Sequence, residues 1–408
     1  MSRVASPVGC MTKTRIGTAV LILALLATAV FVLVARRPPS PALSVRPTAS
    51  GIPLIRESRK ALGLAESTPS IPVIADGLWV RPAPEVAALR ARRAGFSWIL
   101  KQLGARDELV TRLIDGHLAA AITELKKEAS AGDPAAINIL GEIAYQQCRL
   151  GRDEETLSSY EVSEIKRARA LPPADAEWLS SALHADTAFD KQVAAMCKEL
   201  VDPDQVESWV AAQAGRGDAA SLWLMHNLAD NMHDMQQRLR DAAAAGFPEA
   251  QFELAWAIIR GQAGAAGTGS EAANVGELLL RSADTLPRSE TQLAVCEYYG
   301  CPGVSPDLNA ARTHAREAAQ RGSIDGMIEI GPHLPLAQIN PDEVAAWSIV
   351  RASLALQGCD TGGFSVREMK ATTAVLSATS ISANARHLAE QYWQQYGTQI
   401  TANLACGS

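Results

Sequence analysis

The feature that most constrains this chain is a recurring way of stopping and restarting helices. Small-residue runs close on glycine at Ala-Ser-Ala-Gly132, Ala-Gln-Ala-Gly215, Ala-Ala-Ala-Gly246, Ala-Gln-Arg-Gly322 and Ala-Leu-Gln-Gly358. Glycine reaches left-handed dihedrals cheaply, which suits the residue just past a helix end. Restarts recur as Asp202-Pro203-Asp204, Ser305-Pro306-Asp307 and Asn340-Pro341-Asp342. Proline fits the first helical position, and a short polar side chain fits the N-cap. Gly322 and Gly358 are 36 residues apart, Gly246 and Gly322 are 76, and Gly215 and Gly246 are 31. A unit of thirty-odd residues holding two helices is therefore repeated, with an irregular period.

The clearest unit lies within residues 288–331. Leu293, Val295, Cys296 and Tyr299 give a short helix one apolar face, as the 3.6-residue period requires. Gly300, Pro302 and Gly303 end it, and Ser305-Pro306-Asp307 opens the next helix, with Ser305 expected at the N-cap. Ala310, Ala311, Ala315, Ala318 and Ala319 form a small-residue face along which another helix can come close. Gly322 stands where a left-handed cap is wanted.

This unit resembles a Sel1-like repeat, a relative of the tetratricopeptide repeat. Tyr298, Gly303, Val304, Asp307, Ala311, Ala318, Ala319 and Gly322 match the family pattern, whereas Cys301 replaces its first loop glycine and His314 a usual aromatic. The resemblance implies an all-α, right-handed solenoid of about five to seven Sel1-like hairpins that binds protein or peptide partners. It also implies a membrane-anchored bacterial envelope protein.

The sequence divides accordingly into a basic tail (1–15), a transmembrane helix (16–35), a Pro-rich linker (36–84), N-terminal hairpins or degenerate repeats (85–201), Sel1-like repeats (202–360) and a C-terminal cap (361–408). Residues 16–35 carry no charge, and twenty helical residues at about 1.5 Å each span about 30 Å, a bilayer core. A cleaved signal peptide competes, with Ala27-Thr28-Ala29 as its cleavage site, but its apolar core is expected to be shorter. Residues 36–84 hold nine prolines, the mark of an extended spacer. Between 84 and 131 two helices are expected, forming a cap or a degenerate repeat. Residues 151–200 look less regular, 261–272 read as an enlarged loop, and the tail holds a helix with Leu388, Tyr392 and Trp393.

Charge is partitioned. Residues 1–60 contain nine Lys/Arg and one acid; the remainder contains 29 bases and 43 acids. An acidic body argues against a nucleic-acid partner. No phosphate loop, dinucleotide fingerprint or nucleophile elbow is present, so no catalytic or cofactor-binding residue is assigned. His226, Asp230 and His233 would share a face of one continuous helix, with Asp234 adjacent. No fourth ligand or cysteine signature joins them, and no metal is expected. Trp223, Trp256 and Trp347 read as core, His314 as a packing residue, and Glu142, Glu253 and Glu297 as solvated or partner-facing positions on the first helices of repeats. The expected function is a membrane-tethered scaffold or adaptor. The alternative is an envelope hydrolase or glycan-binding factor working in an acidic groove.

Seven cysteines remain. Cys10 precedes the apolar segment, and Cys148, Cys197, Cys296, Cys301, Cys359 and Cys406 lie in the body. The positive-inside balance across residues 16–35 is close to a tie, so compartment turns on these six. Paired, they point to an inner-membrane protein with a periplasmic body; as free core thiols, to the cytoplasm. The bend after Gly300 brings Cys296 and Cys301 into bridging range. Cys148 with Cys197 and Cys359 with Cys406 follow only from chain order.

Overall fold

In the computed structural model, the structure describes residues 81–149, 154–228, 232–261, 274–329, 340–359, 364–378, 380–404 and 406, all within one compact unit, Arg59–Ser408. The basic tail, the apolar segment 16–35, nearly all of the Pro-rich linker, Cys10 and the loop at 262–273 lie outside the described residues. No described helix is long and apolar enough to cross a membrane.

Among the described residues the chain forms α1 (Pro84–Gln102), α2 (Asp107–Ile114), α3 (Leu118–Ser130), α4 (Pro134–Glu142), α5 (Glu154–Ala168), α6 (Pro173–Leu200), α7 (Pro203–Ala214), α8 (Ala219–Asn227), α9 (Met232–Ala244), α10 (Pro248–Ile259), α11 (Val275–Ala283), α12 (Pro287–Tyr299), α13 (Leu308–Gln320), α14 (Ile324–Glu329), α15 (Pro341–Leu356), α16 (Val366–Leu376) and α17 (Ala383–Asn403). A π-helical segment, Ile143–Arg149, continues α4. No strand forms among them beyond an isolated bridge between Cys301 and Val304.

The glycine punctuation is a repeated backbone motif. Gly132, Gly217, Gly246, Gly322 and Gly358 all have φ between 81° and 93°. In each, the glycine N–H bonds the carbonyl three residues back, and the next residue's N–H reaches five residues back, as in Gly322 to Ala319 and Ser323 to Ala318. This is the Schellman cap, which satisfies carbonyls the helix leaves unpaired. Gly217, not Gly215, holds the left-handed position in its unit; Gly215 has φ −61°. Helices α4, α8 and α10 start directly after such a glycine, as α14 does; α12 starts at the equivalent place after Thr285. These are the leading helices of successive hairpins, and neighbours in sequence pack as neighbours in space.

Polar links hold the stack in register. Asn138, the fifth residue of α4, donates to Asp218 (2.9 Å) and accepts from Ser221 (2.5 Å) at the cap of α8. Thr291, the fifth residue of α12, meets Ser323 (2.7 Å) at the start of α14. Small residues do the rest. A Cβ on Gly326 would lie 3.0 Å from the Ala318 methyl, so α14 closes on α13 only because both positions are small.

Several segments depart from expectation. Residues 84–131 form three helices, and 154–200 form two, including the 28-residue α6. Pro172-Pro173 divides the two, starting α6 from the N-cap and first positions, where no backbone N–H is needed. The tail forms two helices. Most consequential, α1 packs far beyond its neighbours in sequence. Ala87 and Ala88 are fully buried with Trp178, Leu179, Phe364 and Met369. Ala94 joins the cluster of Ala294, Ala346 and Trp347. Ile99 and Leu100 join that of Leu113, Ile122 and Leu140. One helix thus touches three of the four apolar clusters.

Candidate protein-binding surface

The hairpin α12–α13 carries the residues singled out by pattern. Tyr298 packs partly buried against the C-terminal cluster and meets Tyr299 edge-on at 4.6 Å. Gly303 turns the loop at φ 76°. Val304 and Cys301 exchange backbone hydrogen bonds of 3.0 and 3.3 Å. Asp307, not Ser305, caps α13, accepting from Asn309 and Ala310 at 2.9 and 3.1 Å. The helix begins two residues later than the Ser-Pro signal suggests because Asp307 N–H first bonds the Glu297 carbonyl at 2.6 Å. Ala311, Ala315, Ala318 and Ala319 are fully buried. Gly322 has φ 93° and lies against Ile400 of the last helix. These residues build the hairpin.

Cys296 and Cys301 are disulfide-bonded with Cα atoms 4.9 Å apart, and Cys148–Cys197 and Cys359–Cys406 are bonded at 5.3 and 5.4 Å. Cys148 ties the end of the π segment to α6, and Cys359 ties the end of α15 to the C-terminus. In the loop, Cys301 stands where the repeat pattern has glycine and uses that place for a covalent clamp.

The two histidines of the histidine–aspartate group are not carried on one helix. α8 ends at Asn227 and α9 starts at Met232, so His226 and His233 lie on different helices; Asp230 falls outside the described residues. No three metal-ligating side chains converge among the described residues. His226 gives its Nδ1–H to the Met235 carbonyl at 2.6 Å, and burial lowers its pKa. With Nδ1 donating, Nε2 is the ring nitrogen left for another partner. That Nε2 lies 3.8 Å from Glu253 Oε2. His314 does more than pack: its Nδ1 is 2.7 Å from Glu297 Oε2. Trp347 is core, stacked on Tyr392 at 4.5 Å.

The grouping that sequence did not reveal is Glu142, Trp223, His226 and Glu253, contributed by the leading helices α4, α8 and α10. Trp223 is buried and donates its indole N–H to Glu253 Oε2 at 3.0 Å. Glu142 is 4% exposed, and its Oε2 is enclosed without a hydrogen-bond partner. Burial, and then repulsion from Glu253, pushes the Glu142 carboxyl up to about 7. Burial pushes Glu253 up to about 7 as well, with the Trp223 bond acting weakly the other way. Both glutamates read as solvated because glutamate usually is. The signal was the apolar company of Glu142 in Ile-Asn-Ile-Leu-Gly-Glu142-Ile-Ala.

Among the described residues these elements define an all-helical protein of stacked hairpins, with α1 packed across several of them. No family model matches the chain, and no curated protein does. Among solved structures, it is similar to the crystal structure of a Sel1 repeat protein from Oxalobacter formigenes, at 16% identity over 72% of this chain and 95% of that one, with a TM-score of 0.25. A TM-score this low says nothing about shared activity.

Proposed function

We propose that this protein is a non-enzymatic, Sel1-like scaffold that binds a protein or peptide partner, held at the bacterial inner membrane by residues 16–35 with its body in the periplasm. The observation that carries the scaffold reading is the run of leading helices α4, α8, α10, α12 and α14, each set by the same register. A stack of this kind offers many small contacts over a long surface. The three disulfides support an oxidising compartment, and the uncharged length of 16–35 supports the anchor.

A hydrolase would use Glu142 and Glu253, since a carboxyl titrating near neutrality suits a general acid. Space argues against it. The described cavities hold about 30, 20 and 20 Å³, against several hundred for a small-molecule site. Glu142 Oε2 is enclosed by protein.

The test is photocrosslinking of the full chain in native membranes, with the crosslinker at exposed leading-helix positions. Discrete adducts with one protein are expected, and their identity names the partner. Adducts with lipid alone, or turnover of a glycan by the purified chain, would overturn the scaffold reading.

A further inference from the structure

The first described residues lie on the body as an extended segment, before any helix begins. Ala83 has φ −56° and ψ 146°, close to polyproline II values, and prolines flank it at Pro82 and Pro84. Asp175 and Trp178 stand one turn apart near the start of α6. The Trp178 indole N–H donates to the Pro82 carbonyl at 2.9 Å. Arg81 lies over the Trp178 ring at 4.5 Å, donates to Asp175 Oδ1 at 2.8 Å and to Met369 Sδ of α16 at 3.4 Å. Phe364, just ahead of α16, meets Trp178 edge-on at 5.9 Å. Aromatic-lined grooves recognise Pro-rich segments because the extended form is already set and its carbonyls stay unpaired. Here the groove offers an indole N–H to one such carbonyl and a carboxylate to the arginine before it.

The chain's own segment fits this place incompletely. The Asp175 side chain is 4% exposed, and its Oδ2 is enclosed without a hydrogen-bond partner among the described residues; Arg81 Nε is enclosed in the same way. A guanidinium can hold both carboxylate oxygens at once, and Arg81 holds one. A cavity of about 20 Å³, lined in part by Trp178, Phe364 and Met369, is left beside them. The cover itself is at the surface. Arg81 and Pro82 are half-buried and Ala83 is exposed, so the segment can lift away without passing through protein. What it uncovers is a carboxylate that is costly to leave unpaired.

We propose that Asp175, Trp178, Phe364 and Met369 form a docking site for an Arg-Pro segment in polyproline II form, presented by a partner protein and filled by Arg81–Pro82 when that partner is absent. The incoming arginine takes both oxygens of Asp175, and the proline carbonyl takes the Trp178 indole N–H. Arg81 is tethered beside the site and competes at an effective concentration on the order of millimolar, so the partner's apparent affinity falls with the fraction of sites left open. The site is on α6 and beside α16, not on the leading helices, so it stands or falls apart from the scaffold reading.

The experiment uses the full chain in detergent and two fluorescein-labelled peptides followed by anisotropy. One has the sequence of residues 78–86; the other has alanine in place of its arginine. Wild type is expected to bind the first at least about tenfold more tightly than the second. Arg81→Ala vacates the site and is expected to bind the first peptide at least about tenfold more tightly than wild type does. Equal binding of the two peptides, or an Arg81→Ala protein no tighter than wild type, overturns the proposal. Should Arg81→Ala fail to melt cooperatively, the two peptides on wild type decide, and no preference or no binding overturns it. Sedimentation of the full chain tests the source of the segment: a dimer that separates on adding the first peptide puts a second copy in the site and overturns its assignment to a different protein. Crosslinks on the leading helices without any peptide preference keep the scaffold and remove this site; peptide preference without such crosslinks does the reverse.

Discussion

Glu142→Gln gives the sharpest test of the buried cluster. The carboxyl titrates at about 7 in the folded protein against an ordinary 4.5. Two and a half units correspond to roughly 3 kcal/mol at about 1.4 kcal/mol per unit. The sign follows from which state holds the proton. Below pH 4.5 both states are protonated and Glu142 contributes no pH dependence. Between 4.5 and 7 the unfolded chain ionises first, so the folded state loses stability as pH rises, and above 7 the loss is complete. Glutamine cannot ionise and has nearly the same shape. The variant should therefore match wild type near pH 5 and exceed it at pH 8 by up to about 3 kcal/mol, or about 6 °C in melting temperature. The assay is thermal unfolding of residues 80–408 by circular dichroism from pH 5 to pH 8. Melting curves that run parallel across that range, or a variant less stable at pH 8, would refute the argument.

Other outcomes follow from the same structure. Gly322→Val forces a β-branched residue into φ 93°, with its Cβ 3.1 Å from the Ile400 carbonyl oxygen. It should lower the melting temperature of the body, and an unchanged melt would show that Gly322 is not a required cap. Trp347→Ala empties a site that is 1% exposed and stacked on Tyr392; a loss of about 3–5 kcal/mol is expected in urea unfolding. Thiol counting on unfolded, unreduced body should find none of the six cysteines reactive. Six reactive thiols would remove both the disulfides and the main support for a periplasmic location.

The sequence carried the local grammar of this fold and little of its long-range assembly. Gly132, Gly246, Gly322 and Gly358 were legible as caps because a left-handed residue is a one-position decision. Gly215 misled because Gly-Arg-Gly offers two glycines within one turn, and only hydrogen bonding decides between them. Asp307 was missed as the N-cap because Ser305-Pro306 is a good local signal, overruled by a backbone bond from Asp307 to Glu297 across the hairpin. Glu142 and Glu253 lie 111 residues apart in sequence. Nothing short of the stacking of α4, α8 and α10 could reveal that they act on one another.

The place of α1 bears most directly on how such a scaffold meets a partner. Its sequence reads as part of an N-terminal cap or a degenerate repeat. Two of its three arginines reach specific neighbours. Arg92 stacks on Phe189 and bonds the Ala185 carbonyl, and Arg93 bonds Asp115 at 3.2 Å. Just ahead of the helix, Arg81 lies over Trp178. From the other side, Arg288 stacks on Trp98 at 4.8 Å while bonded to Glu249 of α10. The turn at Gly358 comes so near that a Cβ there would lie 2.2 Å from the Ala87 carbonyl oxygen. The stretch of leading helices around α10 and α12 that Trp98 and Ala94 touch is therefore already occupied by the chain itself.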